Sequence, residues 1–187
     1  EPGTQLTMRT FHTGGVAQAA AVQTNIKTDE AGKVKFKDLK ILENEAGEEI
    51  VVSQNSKIVI DKQKYEIPSG SLLKVKDGEK VEKGQVLVEF DPYHIPIISN
   101  EPGKVEFRDL YVRENIDHKY NVTERMAIKP VESGDVNPRI IIYEKGKKVD
   151  EYSIPYGAYL MVREGDKVKK GQIISKIIKT GEGTKDI

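Results

Sequence analysis

Apolar positions along this chain recur with two different periods. After Asn25 they alternate: Val34 and Phe36 sit between Lys33, Lys35 and Lys37, and Glu49-Ile50-Val51-Val52 and Lys57-Ile58-Val59-Ile60 are further short runs. Alternation of this kind predicts short β-strands. Before Asn25 the spacing is helical. Thr4 is a suitable N-cap, and Val16-Ala17-Gln18-Ala19-Ala20-Ala21-Val22-Gln23 has strong helix propensity. Gly14-Gly15 interrupts it, and each Gly inside a helix costs about 1 kcal/mol relative to Ala. The pair reads as a hinge or a helix end. A lone helix of this length is marginal in water. The reading over residues 4–23 is therefore a conditional helix, ordered when something binds its face.

Internal repeats organise the rest. Tyr65-Glu66-Ile67-Pro68-Ser69-Gly70 returns as Tyr152-Ser153-Ile154-Pro155-Tyr156-Gly157. Val75-Lys76-Asp77-Gly78-Glu79-Lys80-Val81-Glu82-Lys83-Gly84-Gln85 returns as Val162-Arg163-Glu164-Gly165-Asp166-Lys167-Val168-Lys169-Lys170-Gly171-Gln172. Upstream, Gly32-Lys33-Val34-Lys35-Phe36-Lys37-Asp38-Leu39 is echoed by Gly103-Lys104-Val105-Glu106-Phe107-Arg108-Asp109-Leu110. These pairs define two homologous β modules. The second is longer in its middle, and residues 113–140 read as an extended loop. Asn44–Glu48, Asp77-Gly78, Glu164-Gly165, Lys83-Gly84 and Lys170-Gly171 read as turns. Many short antiparallel strands with such turns predict a mainly β fold built from small sandwich or barrel modules. Asp91-Pro92-Tyr93-His94-Ile95-Pro96 reads as a stiff link, with His94 packed on Tyr93. His118, beside Asp117, reads as a surface loop residue.

Composition narrows the functional classes. Of 187 residues, Lys and Arg number 30 and Asp and Glu number 30, so net charge gives no global case for nucleic-acid or membrane binding. Cysteine is absent and the three His are far apart, so no metal site is expected. No apolar run approaches a membrane span and no signal pattern opens the chain.

The candidate chemistry lies on the first arm. On a helix, Gln5, Met8, Arg9 and His12 fall at i, i+3, i+4 and i+7, sharing one face. Gln5 and His12 are then about 10 Å apart along the axis. An amide can bond a sugar hydroxyl, a thioether can pack on a base, and Arg can clamp phosphate oxygens. Spacing alone favours a solvated amphipathic helix with an incidental His. Gly181-Glu182-Gly183-Thr184 is a poor phosphate cradle and reads as a flexible return. Two other classes are in play: a pure interaction scaffold, and a biotinyl- or lipoyl-like carrier with Lys62 of Asp61-Lys62 as the modified residue. The second repeat has no matching Asp-Lys.

The stretch Glu1-Pro2-Gly3-Thr4-Gln5-Leu6-Thr7-Met8-Arg9-Thr10-Phe11-His12-Thr13-Gly14-Gly15 resembles the first arm of the trigger loop of the bacterial RNA polymerase beta-prime subunit. Gly183-Thr184-Lys185-Asp186-Ile187 resembles the start of the returning arm. Residues between them resemble, more loosely, the insertion some bacterial lineages carry there, made of tandem sandwich–barrel hybrid modules. The resemblance implies a fragment: a helical arm at 1–27, β modules at 28–98 and 99–179, and a returning arm at 180–187. It implies an arm that closes on the incoming nucleoside triphosphate, with Gln5 on the ribose, Met8 on the base, and Arg9 and His12 at the triphosphate. His12 can donate a proton or act as a positioned charge, and the sequence does not choose. Gly14 and Gly15 would be the hinge. No cofactor is expected in the fragment; catalytic magnesium would be bound elsewhere in the parent enzyme, and the fragment alone would be inactive. Expected partners are the other polymerase subunits, the nucleotide, and DNA and RNA through the parent enzyme, in the cytoplasm and with no membrane.

Overall fold

The computed structural model describes residues 7–9, 12–13, 16–17, 21–131, 134 and 136–179, with side chains from residue 23 onward. It is mainly β, with no helix among the described residues. The arm expected as helix over 1–27 is extended wherever its backbone is described, in β1 (Thr7–Arg9), β2 (His12–Thr13), β3 (Val16–Ala17) and β4 (Ala21–Lys27). A short helix without packing partners is marginal in water. For β4 the cause is tertiary. Its residues 24–27 pair with a later strand, and such pairing overrides the weak prior of helix propensity. The rest of the arm, Gln5, Gly14 and Gly15 included, lies outside the described residues.

The chain divides into two compact units, with the boundary at Pro92–Tyr93. The first module comprises β4, β5 (Gly32–Lys37), β6 (Ile41–Glu43), β7 (Glu49–Val51), β8 (Ser56–Ile60), β9 (Gln63–Ile67), β10 (Leu72–Leu73), β11 (Lys80–Val81) and β12 (Val86–Phe90). The second comprises β13 (His94–Ile98), β14 (Gly103–Arg108), β15 (Tyr111–Ile116), β16 (Val122–Ile128), β17 (Arg139–Glu144), β18 (Lys147–Ser153), β19 (Tyr159–Leu160), β20 (Lys167–Val168) and β21 (Ile173–Ile178). Strand order is the same in both. One sheet runs β11-β5-β8-β9 in the first module and β20-β14-β17-β18 in the second. The other runs β4-β12-β10-β7-β6 and β13-β21-β19-β16-β15.

The unit boundary falls ahead of the division expected at 98–99, and β4 joins the first module although it was assigned to the arm. Both shifts have one physical origin. Each module is closed by pairing its first strand with its last, Phe90 with Thr24 in one and His94 with Ile178 in the other. The proline-containing stretch read as a linker is thus mostly strand. His94 lies on β13, and its ring faces Tyr159 at a centroid distance of 6.0 Å, a neighbour the sequence reading did not name.

Inward positions of the two sheets meet in a separate core in each module. Val34, Ile58 and Ile60 pack with Val51, Leu87 and Val88 in the first. Val105, Ile140 and Ile142 pack with Ala127, Leu160 and Ile174 in the second. Fully burying side chains of this size contributes roughly 1.5–3 kcal/mol each. The repeat extends to individual turn bonds. Gly78 N donates to Val34 O at 2.8 Å and Gly165 N to Val105 O at 2.8 Å; Gly84 N donates to Thr28 O at 2.8 Å and Gly171 N to Ser99 O at 2.8 Å.

Residues 113–140, expected as an extended loop, hold most of a hairpin with a register shift between Asn115 and Ile116. Strands β15 and β16 pair from Tyr111–Ile128 to Ile116–Val122. At the tip, Asp117 Oδ1 accepts from Lys119 N at 2.8 Å and Asn121 N at 2.9 Å, replacing the usual Asn-Gly turn. His118 is exposed at this tip, in agreement with its reading as a surface residue.

Candidate functional site

The structure places Met8 and Arg9 on β1 and His12 on β2. Gln5, Gly14 and Gly15 lie outside the described residues. The common face expected of Gln5, Met8, Arg9 and His12 lies outside the described side chains. The described side chains belong to the two modules and the strand that leads into them.

In the second module a cation is held almost out of solvent. The Arg125 side chain is 7% exposed, and its Nε donates to Glu114 Oε2 at 3.1 Å. Its Nη1 donates to the Val162 carbonyl at 2.6 Å. Arg163 reaches the same Glu114 oxygen at 3.4 Å, while its backbone N donates to Asp166 Oδ2 at 2.8 Å. Desolvation, then the charge of Arg163, pulls the Arg125 guanidinium below its ordinary pKa. The group is paired and satisfied, which suits a clamp between the β15–β16 hairpin and the 162–166 turn. The matching place in the first module carries a simpler pair, Lys76 Nζ to Glu49 Oε1 at 3.4 Å. Sequence reading missed Arg125 because a charged residue on a strand reads as solvent-facing.

A second repeated device is a tyrosine latch. Asp29 N donates to the Tyr65 hydroxyl at 2.9 Å, and Asn100 N donates to the Tyr152 hydroxyl at 2.8 Å. The Tyr152 hydroxyl donates in turn to Asp150 Oδ2 at 2.5 Å. Burial first, and then the Asp150 carboxylate against the opposing effect of the Asn100 N–H, pushes the Tyr152 phenol up to about 12. A pKa raised in the folded state means stability present below the unfolded value near 10 and lost as pH rises through 12. Wild-type chain should lose stability between pH 10 and 12 relative to Tyr152→Phe. Urea midpoints of both proteins across that range check this, and parallel curves would refute it.

Among the described residues no group of His, Cys, Asp or Glu could hold a metal ion. Lys62 is exposed at the two-residue tip between β8 and β9, where Asp61 has a φ of 54°. The equivalent tip between β17 and β18 is Lys145-Gly146, with a φ of 54° at Lys145.

Comparison with known proteins supplies what this geometry does not. The family model described as RNA polymerase Rpb1, domain 5, matches residues 1–183. Over its whole length the chain is 55% identical to the DNA-directed RNA polymerase subunit beta' of Fusobacterium nucleatum subsp. nucleatum. It is 38% identical to that of Opitutus terrae and 37% identical to that of Rhodopirellula baltica, again over its whole length. The chain spans 14% of the length of each of these relatives.

Proposed function

Because the chain belongs to the RNA polymerase Rpb1 domain 5 family, we propose that it is the trigger-loop segment of a bacterial beta-prime subunit, with two β modules inserted between the loop's arms. The observation that carries the reading is the alignment of the whole chain, arm included, within beta-prime subunits. In this reading the first arm folds against an incoming nucleoside triphosphate. Gln5 holds the ribose, Met8 packs on the base, and Arg9 and His12 meet the triphosphate, where charge develops as pyrophosphate leaves. Magnesium would be bound by other parts of the parent enzyme. The chain alone would be inactive. Its partners would be the remaining polymerase subunits and, through them, DNA and RNA in the cytoplasm. Among the described residues no helix is long and apolar enough to cross a membrane. The relatives reported are polymerase subunits, so the carrier reading of Lys62 has no support.

Folding the arm orders backbone at roughly 1–2 kcal/mol of entropy per residue, which nucleotide contacts must offset. Position of the modules and state of the arm are then linked, and a change that favours one shifts the other. Gly14→Ala with Gly15→Ala should favour the folded arm by up to about 2 kcal/mol. The measurement is elongation by reconstituted polymerase over a range of nucleotide concentrations. Faster addition and shorter pauses at low nucleotide are expected. Unchanged pausing removes the glycines from the switch, and slower addition throughout makes one of them a helix stop with positive φ.

A further inference from the structure

The zero net charge conceals a segregation of sign. In the first module, Lys33, Lys35 and Lys37 alternate along β5 with the core residues Val34 and Phe36, so they share its outer face. Register extends that face across the sheet: Lys80 of β11 lies opposite Lys33, Lys57 of β8 opposite Lys37, and Lys64 of β9 opposite Val59, which is itself opposite Lys35. Five of these six lysines are exposed and Lys57 is half-buried. Glu66, opposite Lys57, is the only acid those strands add to the face. Asp38 and Asp61 sit in the bounding turns, and Asp77 accepts from Phe36 N. None of these acids makes an ion pair with the six lysines among the described residues.

The second module is an internal control, because acids stand at two of the same six positions there. Glu106 stands where Lys35 does and Glu151 where Lys64 does. Arg108 pairs with Glu106, Arg139 with Glu151 at 3.4 Å and with Asp109 at 3.6 Å, and Lys148 with Glu151. Like charges directly opposite each other destabilise a sheet. The second module has the same oppositions, Lys104 with Lys167 and Arg108 with Arg139, but offsets them with Glu106 and Glu151. The first module has lysines at those two places, an excess of positive charge that a polyanion would neutralise.

We propose that the outer face of β11-β5-β8-β9 is a docking surface for the phosphate backbone of duplex DNA. Alternate residues of a strand recur every ~6.6 Å, close to the rise of two nucleotides along a duplex at ~3.4 Å each. The face carries no aromatic side chain on which unstacked bases could stack, which argues against single strands. It also lacks the apolar anchors a protein interface needs: Val59 is its one apolar residue, and every large exposed hydrophobic among the described residues belongs to the second module. Contacts limited to phosphate carry no sequence preference. Only the choice of DNA over another duplex rests on the polymerase reading.

The test uses the whole chain and a fluorescent DNA duplex of random sequence, followed by anisotropy from low to physiological salt. Binding should weaken with salt, and Lys33→Gln/Lys35→Gln/Lys37→Gln should reduce the slope of log K against log salt by about 2.7, at roughly 0.9 per phosphate contact. At the lowest salt this variant should bind at least about tenfold more weakly, while Lys104→Gln/Arg108→Gln in the second module stays within about twofold of wild type. Circular dichroism melts should show the triple variant at least as stable as wild type, since it relieves repulsion. The proposal is overturned by a triple variant that binds like wild type, by tighter binding of the single strand, or by displacement with poly-glutamate as effective as with duplex. Any of those results leaves the role of Arg9 in elongation untouched, so the two readings fail separately.

Discussion

Arg9→Ala is expected to slow nucleotide addition by about 10²–10³-fold when placed in a reconstituted polymerase. In the proposed folded arm the guanidinium is a charged donor aimed at phosphate oxygens that gain charge in the transition state, and removal of one such donor typically has this effect. The loss should fall on the maximal rate more than on apparent nucleotide affinity, because the interaction strengthens as the reaction proceeds. Rapid-quench single-nucleotide addition measures both. His12 divides by pH. If it donates a proton, His12→Gln and His12→Ala should both lose one ionisation from the rate profile, with a reference value near 6.5. If it places charge or a hydrogen bond, Gln should retain much of the rate and Ala should not. Wild-type rates in all three variants would remove this face from the mechanism.

Gly103→Ala should unfold the second module under conditions where Gly32→Ala leaves the first intact. These glycines occupy equivalent positions, both with a φ of 158°, a region that residues with a Cβ rarely enter. Their surroundings differ. A Cβ on Gly103 would lie 2.5 Å from the Tyr143 carbonyl oxygen and 2.7 Å from Ile142 Cγ2, so the β14–β17 ladder would have to part. On Gly32 it would meet only Ile60 Cγ2, at 3.1 Å, among close atoms. Overpacking of the first kind costs typically about 1–3 kcal/mol beyond the backbone strain both variants share. Urea titration should show an early transition for Gly103→Ala that is absent from Gly32→Ala. Equal midpoints would mean the ladder yields more easily than its geometry implies.

The turns were legible because their chemistry is local. Gly78 and Gly165, with φ of 88° and 92°, sit where left-handed backbone favours glycine, and the flanking apolar residues alternate as strands do. What closes each module was not legible. β4 emerges from an Ala-rich run whose local preference is helical, and its partner β12 lies far along the chain. The β15–β16 hairpin was hidden by a tip that turns on the Asp117 carboxylate and a positive φ of 66° at Tyr120, without an Asn-Gly pair. For the arm, the residues were visible as a motif only through resemblance, since the face they share depends on the helical state. The lysine face was half visible. Alternation of Lys33, Lys35 and Lys37 is in the sequence, whereas the placement of Lys57 and Lys80 against them needs the register.

Pairing the first strand of each module with its last has a consequence at the level of the gene. Thr24 faces Phe90, and His94 faces Ile178, so the chain enters and leaves each module on neighbouring strands, about 4.8 Å apart. A coding segment for such a unit can be copied or excised while the two ends left behind meet across the same narrow gap. Removing residues 93–179 would take out one module without prising open the one that stays. The motifs and strand order that the two modules share are then the trace of a tandem duplication that this closure made structurally tolerable.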